Sequence, residues 1–397
     1  MVVIKDYSIY ISYLNTDNFQ GDDTTNFVGS DERTKIISTI NAAESNGNNY
    51  YGLFGVLDKE ATILNLDLHT AIGITKSPTN IGNDSTADNL YVGGIAGKIN
   101  NALIYNTTSS AIVSIDAGYS TVYAGGITGH LTGGFSSVNK SEYDGSLTNW
   151  IINNSSSNNN YVGNIAGYAD GAYLKDYTIN TTNNDVMLSS SAANNINTSN
   201  YIGTIFGYYN GSRVSEISNV LIKADSESKL QSIVNYGTSY VGGAIGYVNA
   251  THELVVGEIK FSNTSKYKSN FISQSFNKDS HANVYAAGLF AQTSGTVTAS
   301  DEFKVNIKDI TIDDKIIKKG EYLFSGNYHI EATSHGVNPR DRSYGKCISA
   351  GMVAKGYFNI LGTDDINSQI LINDGTGLFE VVATQTQTAA HADYNAT

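Results

Sequence analysis

A chain of 397 residues with 40% hydrophobic residues has enough apolar side chains to fold, so its composition excludes a disordered protein. The formal net charge of -13 argues against nucleic acid as a partner, because nucleic-acid affinity comes largely from Lys and Arg that neutralise phosphates. The single cysteine, Cys347, excludes an intramolecular disulfide framework and a cysteine-rich zinc site, and we expect it to be a small buried side chain.

The first 49 residues precede the repeated part of the chain and have a different pattern. Alternation around residues 9–11 predicts a short strand. Ser30 suits an N-cap position, and Asp31 and Glu32 after it complement a helix dipole, so we predict that a helix begins here. The apolar side chains on one face of this helix are Ile36, Ile37, Ile40 and Ala43. Such a helix acts as an N-terminal cap on a repeat array, with an ordinary surface helix as the alternative.

A seven-residue motif, Tyr-x-Gly-Gly-Ile-x-Gly, organises the rest of the chain. Its clear copies occupy residues 91–97, 123–129, 161–167, 201–207 and 240–246, and weaker copies lie at 52–55, 285–291 and 348–354. The first tyrosines of the clear copies lie 32, 38, 40 and 39 residues apart. The fifth position is apolar in six copies, as Ile95, Ile127, Ile165, Ile205, Ala244 and Leu289. A turn signal such as Asn210-Gly211 follows several copies, and a second predicted strand follows the turn.

Strand signals at a period of about 40 residues are typical of two architectures, a β-solenoid and a β-propeller. The uneven spacing favours the solenoid, because each coil contacts only its neighbours and tolerates loops of different length. We therefore predict an all-β fold, a parallel β-helix or β-solenoid, with the propeller as the alternative. The glycines would let coils stack without a Cβ clash, and the isoleucines would form an inner ladder. Whether the tyrosine row faces inward or outward stays open.

The pattern divides the chain into four regions. Residues 1–49 are the N-terminal cap region, and residues 50–293 are the repeat array. Charged residues become frequent after position 293, so residues 294–382 are interpreted as modified C-terminal repeats or an appended β unit. Residues 383–397 are polar and without period, which predicts a flexible tail.

The repeated motif, followed by an Asn/Asp-Gly turn and an Ile-x-x-Val strand, resembles the GLUG repeat over roughly residues 50–293. That family occurs in large bacterial surface proteins and adhesins. The resemblance implies a β-helix-like protein displayed at the cell surface, and it carries no catalytic residues. This chain mostly has Ile where the family name implies Leu, and Gly-Leu remains only at Gly52-Leu53 and Gly288-Leu289.

No catalytic, cofactor-binding or metal-binding residue is predicted. Lys98 follows Gly97, but Val92 and Ile99 stand where a phosphate loop needs Gly and Ser or Thr. The histidines have no paired metal spacing and are His69, His130, His252, His281, His329, His335 and His391. Carboxylates that fall at different repeat positions, so that stacking does not gather them, are Asp170, Glu216, Glu253 and Glu258. Asn-x-Ser/Thr triplets begin at Asn106, Asn180, Asn210, Asn249 and Asn263.

We therefore expect a non-enzymatic extracellular or cell-surface repeat protein, an adhesin or stalk segment that acts through many weak contacts. The expected partners are a glycan or protein of a host or neighbouring cell, or copies of the chain itself. Two alternatives stay open, a structural subunit of a self-assembling surface filament or sheath and a β-helical polysaccharide-active enzyme. No segment has the ~18 apolar residues of a transmembrane helix. Residues 1–7 lack a secretion signal, so an exported protein would be a mature form or a fragment.

Overall fold

A computed structural model describes most of the repeat array and shorter pieces at both ends. The described residues are 2–3, 9–11, 26–28, 34–42, 49–58, 61–75, 89–116, 120–132, 137–139, 142–143, 150–154, 159–181, 185–190, 198–257, 259–263, 268–275, 282–299, 310–312, 315–317, 322–335, 346–356, 359–360, 371–373 and 378–386. They form an all-β fold, and none of them is helical. Within this part of the chain no helix is present that could span a membrane.

One strand of each motif belongs to an eight-stranded parallel sheet, here called the tyrosine sheet. Its strands are Asn49–Tyr51, Asn89–Gly93, Thr121–Gly125, Asn160–Gly163, Ser199–Gly203, Gly237–Gly242, Ala282–Ala287 and Cys347–Ala350. The strands that follow the motif's glycine pair are Phe54–Leu57, Ala96–Asn100, Thr128–Thr132, Ala166–Asp170, Phe206–Asn210, Ile245–Val256, Phe290–Ala299 and Val353–Lys355. These second strands belong to a separate 30-stranded sheet.

The remaining strands complete the large sheet on the other sides of each coil. The third set is Val2–Val3, Asn26–Val28, Thr62–Leu64, Leu103–Tyr105, Ser137–Asn139, Tyr173–Asn180, Ser215–Ala224 and Asn359–Ile360. The fourth set is Ile9–Ile11, Thr34–Ala42, Leu66–Thr75, Thr108–Asp116, Glu142–Tyr143, Ile259–Asn263, Tyr322–Ser325 and Leu371–Asn373. The fifth set is Trp150–Asn154, Asp185–Ser190, Ser228–Val234, Lys268–Ser275, Asn327–His335 and Phe379–Thr386. Ile310–Ile312 and Lys315–Ile317 form a small antiparallel hairpin.

Each repeat makes one coil, because its strands pair in parallel with the equivalent strands of the next repeat. Tyr161 is the partner of Tyr201, and Tyr201 is the partner of Tyr240. The second strands keep the same order, with Tyr168 beside Tyr208. Pairing between repeats is the arrangement of a parallel β-solenoid, whereas a propeller pairs strands within each blade.

The motif glycines lie where neighbouring coils meet backbone to backbone. A Cβ on Gly97 would lie 2.8 Å from both Tyr50 Cα and Tyr51 N in the preceding coil. A Cβ on Gly93 would lie 2.6 Å from the Ile127 carbonyl oxygen in the next coil. Carbon atoms do not approach that closely, so only glycine fits, and the predicted role of glycine in close stacking is confirmed.

The apolar fifth position of the motif lies in the core in six coils, as predicted. Ile95, Ile127, Ile165, Ile205, Ala244 and Leu289 are all fully buried in one continuous cluster. The apolar side chains of the third, fourth and fifth strand sets close the cluster from the other sides, for example Leu174, Ile179 and Leu188. Stacked repeats thus share a single core that runs through the array.

The predicted N-terminal helix is wrong. Thr34–Ala42 is a strand that pairs in parallel with Leu66–Thr75, so that Ile36 is the partner of Leu68 and Ile40 the partner of Ile72. Residues four apart share a face in a helix and also in a strand, so the Ile36–Ile40 spacing does not distinguish the two. The β-branched residues of this segment favour the strand. Residues 30–33, the predicted helix start, lie outside the described part of the chain.

Parallel pairing continues past residue 293 to the strand Phe379–Thr386. The motif strand of the last coil, Cys347–Ala350, is only half-buried, although its partners one coil earlier are buried. Cys347 was expected to be buried, and it is half-buried beside the core, where its Sγ donates a hydrogen bond to the Ala332 carbonyl oxygen at 2.9 Å. Residues 387–397 lie outside the described part.

Candidate functional site

The motif tyrosines form an unbroken stack of rings along the solenoid, here called the tyrosine ladder. Neighbouring rings are nearly parallel, with centroids 4.7 to 5.3 Å apart. The ladder consists of Tyr50, Tyr91, Tyr123, Tyr161, Tyr201, Tyr240 and Tyr285. Its rings lie outside the main core, and Tyr240 and Tyr285 form a small cluster of their own. The tyrosine row therefore faces away from the core, which the sequence alone left open.

A second row of side chains, here called the crossing row, runs beside the ladder on the second strand of each coil. Its members in register are Lys98, His130, Tyr168, Tyr208, Tyr247, Gln292 and Lys355. The rings of Tyr168 and Tyr208 stack on each other at 5.2 Å and meet the ladder edge-on, as Tyr208 does against Tyr201 at 88°. Edge-to-face contacts of this kind are favourable, so the two rows brace each other.

Stacking decides which parts of the rings a partner can reach. Each ladder face is covered by the next ring, and at the last coil Lys355 Nζ lies 5.3 Å from the centroid of Tyr285. Tyr91, Tyr123, Tyr161 and Tyr201 are half-buried, whereas Tyr240 and Tyr285 at the end of the ladder are buried. A partner would therefore meet ring edges and hydroxyl groups, repeated once per coil from Tyr50 to Tyr201.

Burial raises the pKa values of several phenol groups of this face. It raises the pKa of Tyr123 to about 12, with a smaller contribution from Tyr168, and it raises the pKa of Tyr208 to about 12 as well. The pKa values of Tyr161 and Tyr240 are also raised, mainly by burial. The face thus presents neutral hydroxyl groups that can both donate and accept hydrogen bonds.

His130 is the one member of the crossing row whose charge responds to mild acid. Burial, with Lys98 nearby, lowers its pKa from 6.5 to about 4, so the folded protein holds this ring neutral at pH 7. As the pH falls, the unfolded chain binds the proton before the folded protein does. The contribution of neutral His130 to stability is therefore complete above pH 6.5 and is lost as the pH falls toward 4. We expect protonation of this group to lower the free energy of unfolding by about 3 kcal/mol across that window.

Urea titrations of the wild type and of His130→Tyr between pH 7 and 4 measure this cost. Tyrosine matches the next members of the row, Tyr168 and Tyr208, and it has no acid titration in the window. The wild type should lose more stability than the variant, and equal losses would show that His130 is not the responsible group.

A ladder of amide side chains lines the turn after the second strand. Asn210 Nδ2 donates to Asp170 Oδ1 at 3.1 Å, and Asn249 Nδ2 donates to Asn210 Oδ1 at 3.1 Å. Ser294 Oγ continues the ladder by donating to Asn249 Oδ1 at 2.9 Å. Four Asn-x-Ser/Thr positions, Asn106, Asn210, Asn249 and Asn263, use their amide nitrogen in such bonds, so a glycan on that atom would have to break them.

Asn210→Asp should destabilise the protein by about 1–3 kcal/mol at neutral pH. The change replaces the donor that faces Asp170 with a second carboxylate, so a hydrogen bond is lost and like charges meet. Asn249→Asp is the matched control, since its carboxylate faces Asn210 and Ser294 instead. Guanidinium titration should show a larger loss for Asn210→Asp, and an equal loss would mean that repulsion contributes nothing.

A charged cluster on the fifth strands was not predicted. His329 Nδ1 lies 2.8 Å from Glu380 Oε2, and its Nε2 lies 3.0 Å from Glu331 Oε2. Lys268 Nζ lies 3.0 Å from the same Glu380 oxygen, so three coils are joined. Burial would raise the pKa of Glu331, but hydrogen bonds from Thr333, His329 and Gln274 outweigh it and lower that pKa. The hydrogen bond from Lys268, with a smaller one from His329, lowers the pKa of Glu380.

The other residues considered from the sequence are spread over the fold. Lys98 lies in the crossing row and Asp170 in the amide ladder. Glu216 and Glu253 lie on the strands Ser215–Ala224 and Ile245–Val256. Within the described residues, no group of three or more His, Cys, Asp or Glu is placed to hold a metal ion. Glu258, His281 and His391 lie outside that part of the chain.

In comparisons with known proteins, no protein-family model, curated protein or solved structure matches this chain.

Proposed function

We propose that this chain is a non-enzymatic repeat segment of an extracellular or cell-surface protein, an adhesin or stalk of the GLUG-repeat type. The observation that carries the proposal is the tyrosine ladder with its crossing row. Seven coils in succession carry a tyrosine in the same place, with ring centroids 4.7 to 5.3 Å apart, and the first five of these tyrosines are partly exposed. A partner that is itself repetitive can make the same weak contact many times, and such contacts multiply into useful avidity.

The chemistry of the face suits a glycan or a protein surface. Tyrosine combines a large apolar edge with a hydroxyl group, and it is enriched in interfaces for that reason. The hydroxyl groups stay neutral, and the chain carries a net charge of -13, so a strongly anionic partner would be repelled. The partner is therefore expected to be neutral or basic.

An adhesion assay tests the proposal. Beads are coated with the chain, and their adhesion to cells and to immobilised glycans is measured. The variant Tyr168→Ser with Tyr208→Ser removes two hydroxyl-bearing rings from the crossing row, and Tyr173→Ser removes an exposed tyrosine that belongs to neither row. Circular dichroism and a guanidinium titration establish that both variants fold. The double variant should lose at least tenfold in adhesion and the control little. Equal adhesion of all three, or failure of an antibody to reach the chain on intact producing cells, would contradict the proposal.

Self-assembly into a filament is the second candidate, and the last coil favours it. Met352 and Val353 are half-buried, whereas their counterparts Leu289 and Phe290 are fully buried. An apolar end with strand edges can accept a further coil from another molecule. Sedimentation at increasing concentration and electron microscopy should then reveal end-to-end fibres, and a strict monomer at high concentration would remove this candidate.

A further inference from the structure

The tyrosine ladder places the same reactive ring atoms of successive coils beside each other. Tyr161, Tyr201 and Tyr240 are register partners, and their rings deviate from parallel by only 3° and 4°. Each ring therefore has its ortho carbons, the positions next to the hydroxyl group, alongside the ortho carbons of the next ring. The contacts continue over the whole ladder, so a ring that has lost an electron can regain one by electron transfer from the neighbouring ring.

We propose that the tyrosine ladder is a site of oxidative modification, at which rings on successive coils couple to dityrosine. Each of two neighbouring phenols loses one electron and its hydroxyl proton. The two phenoxyl radicals join through one ortho carbon of each ring, and the hydrogens on those carbons move to the oxygens and restore two phenols. The pair has lost two electrons and two protons, which hydrogen peroxide takes up through a peroxidase as it is reduced to water.

The modification fastens consecutive coils to each other. A bond between Tyr161 and Tyr201 closes a loop that contains one complete coil, and such a covalent closure restricts the unfolded chain as a disulfide does. The chain has one cysteine and therefore no internal disulfide to do this. Dityrosine would also resist reduction, which breaks disulfides. This inference concerns the stacked tyrosines of the ladder and of the crossing row beside it, and it does not depend on the proposed binding function.

To test the proposal, the full chain is treated at high dilution with peroxidase and hydrogen peroxide. It is then digested with trypsin, and the peptides are analysed by mass spectrometry. Cleavage after Lys140, Lys175 and Arg213 places Tyr161 and Tyr168 in one peptide and Tyr201 and Tyr208 in the next. Cleavage also separates the peptide 230–260, with Tyr240, from 279–304, with Tyr285. We expect both pairs of peptides to appear joined, with a mass two hydrogens below their sum, and fragment spectra to place the bonds on ladder or crossing-row tyrosines.

Two variants distinguish this result from nonspecific oxidation. Tyr201→Phe with Tyr208→Phe keeps the stacked rings but removes the phenols, so the first pair of peptides should no longer join while the second still does. Tyr173→Phe removes an exposed tyrosine, whose hydroxyl donates to the Val214 carbonyl oxygen, and should leave both cross-links in place. Cross-links that persist in the double variant, that fall on Tyr173, or that join only different molecules would overturn the proposal.

Discussion

Replacing Gly203 with alanine is expected to lower the free energy of unfolding by about 3 kcal/mol. The new methyl carbon would lie 2.6 Å from the Ala244 carbonyl oxygen and 2.7 Å from Ile245 Cα, and it would also meet the Phe206 carbonyl oxygen. All three neighbours are backbone atoms, which no rotamer change can move away. The two coils would have to separate locally, and guanidinium titration measures the cost.

Gly211→Ala is the matched control for this prediction. Gly211 lies only eight positions later, and its nearest neighbour to an added Cβ is Ala250 Cα at 3.1 Å. A small shift accommodates that contact, and alanine also restricts the unfolded chain, so the net change should stay within about 1 kcal/mol. Similar losses for both variants would mean that close coil stacking does not explain the motif glycines.

Phe206→Ala should cost about 3–5 kcal/mol, the usual range for a phenylalanine removed from a packed core. Phe206 is fully buried on the second strand of its coil, and its ring lies 5.8 Å from that of the buried Tyr209. Truncation leaves a cavity between coils that are held in register on both sides by backbone hydrogen bonds, so the site collapses poorly. The same guanidinium titration measures this loss.

Val214→Ala controls for the removal of apolar atoms in general. Val214 is 56% exposed, so its truncation should change stability by no more than about 0.5 kcal/mol. A small effect of Phe206→Ala, comparable with that of Val214→Ala, would contradict a continuous core through this coil.

The repeat itself was enough to predict the core and the coil contacts. An apolar residue that recurs at one motif position, such as Ile205, is expected to face the same environment in each copy. Gly203 recurs in the clear copies because each of them has the same close contact. The motif does not predict which way the Tyr201 side chain points, because the glycine pair interrupts the alternation of inward-facing and outward-facing residues along the strand. That direction follows from the packing of the crossing row, in which Tyr208 meets Tyr201 edge-on.

The remaining features depend on contacts between residues far apart in the sequence. The strand at Thr34–Ala42 is set by its partner Leu66–Thr75, whereas local apolar spacing fits a helix equally well. His329 and Glu380 meet only because their coils stack, and the variable loops between them hide the register. The spacing of His329 and Glu331 by two residues on one strand was the available sequence signal, since such residues share a face.

A face built from stacked tyrosines has consequences for how this chain can act. The rings stack on each other over seven coils, so we expect the face to be ordered before any partner arrives, and the proposed binding would then lose little conformational entropy. Contacts of equal geometry at each coil favour a partner that extends along the solenoid axis. The same stack brings phenol groups into the proximity that the proposed oxidative coupling needs.

The central claim is that each repeat forms one coil and that the strands of successive coils are in register. Disulfide trapping between coils tests this claim most directly. Lys223 and Ser262 are register partners on neighbouring coils, so their Cα atoms should lie about 5 Å apart, within reach of a disulfide. In a Cys347→Ser background, Lys223→Cys with Ser262→Cys should oxidise rapidly to an intramolecular disulfide. Lys223→Cys with Lys260→Cys is offset by two residues, roughly 8 Å apart, and should not. Equal oxidation of both pairs, or preference for the offset pair, would contradict the account.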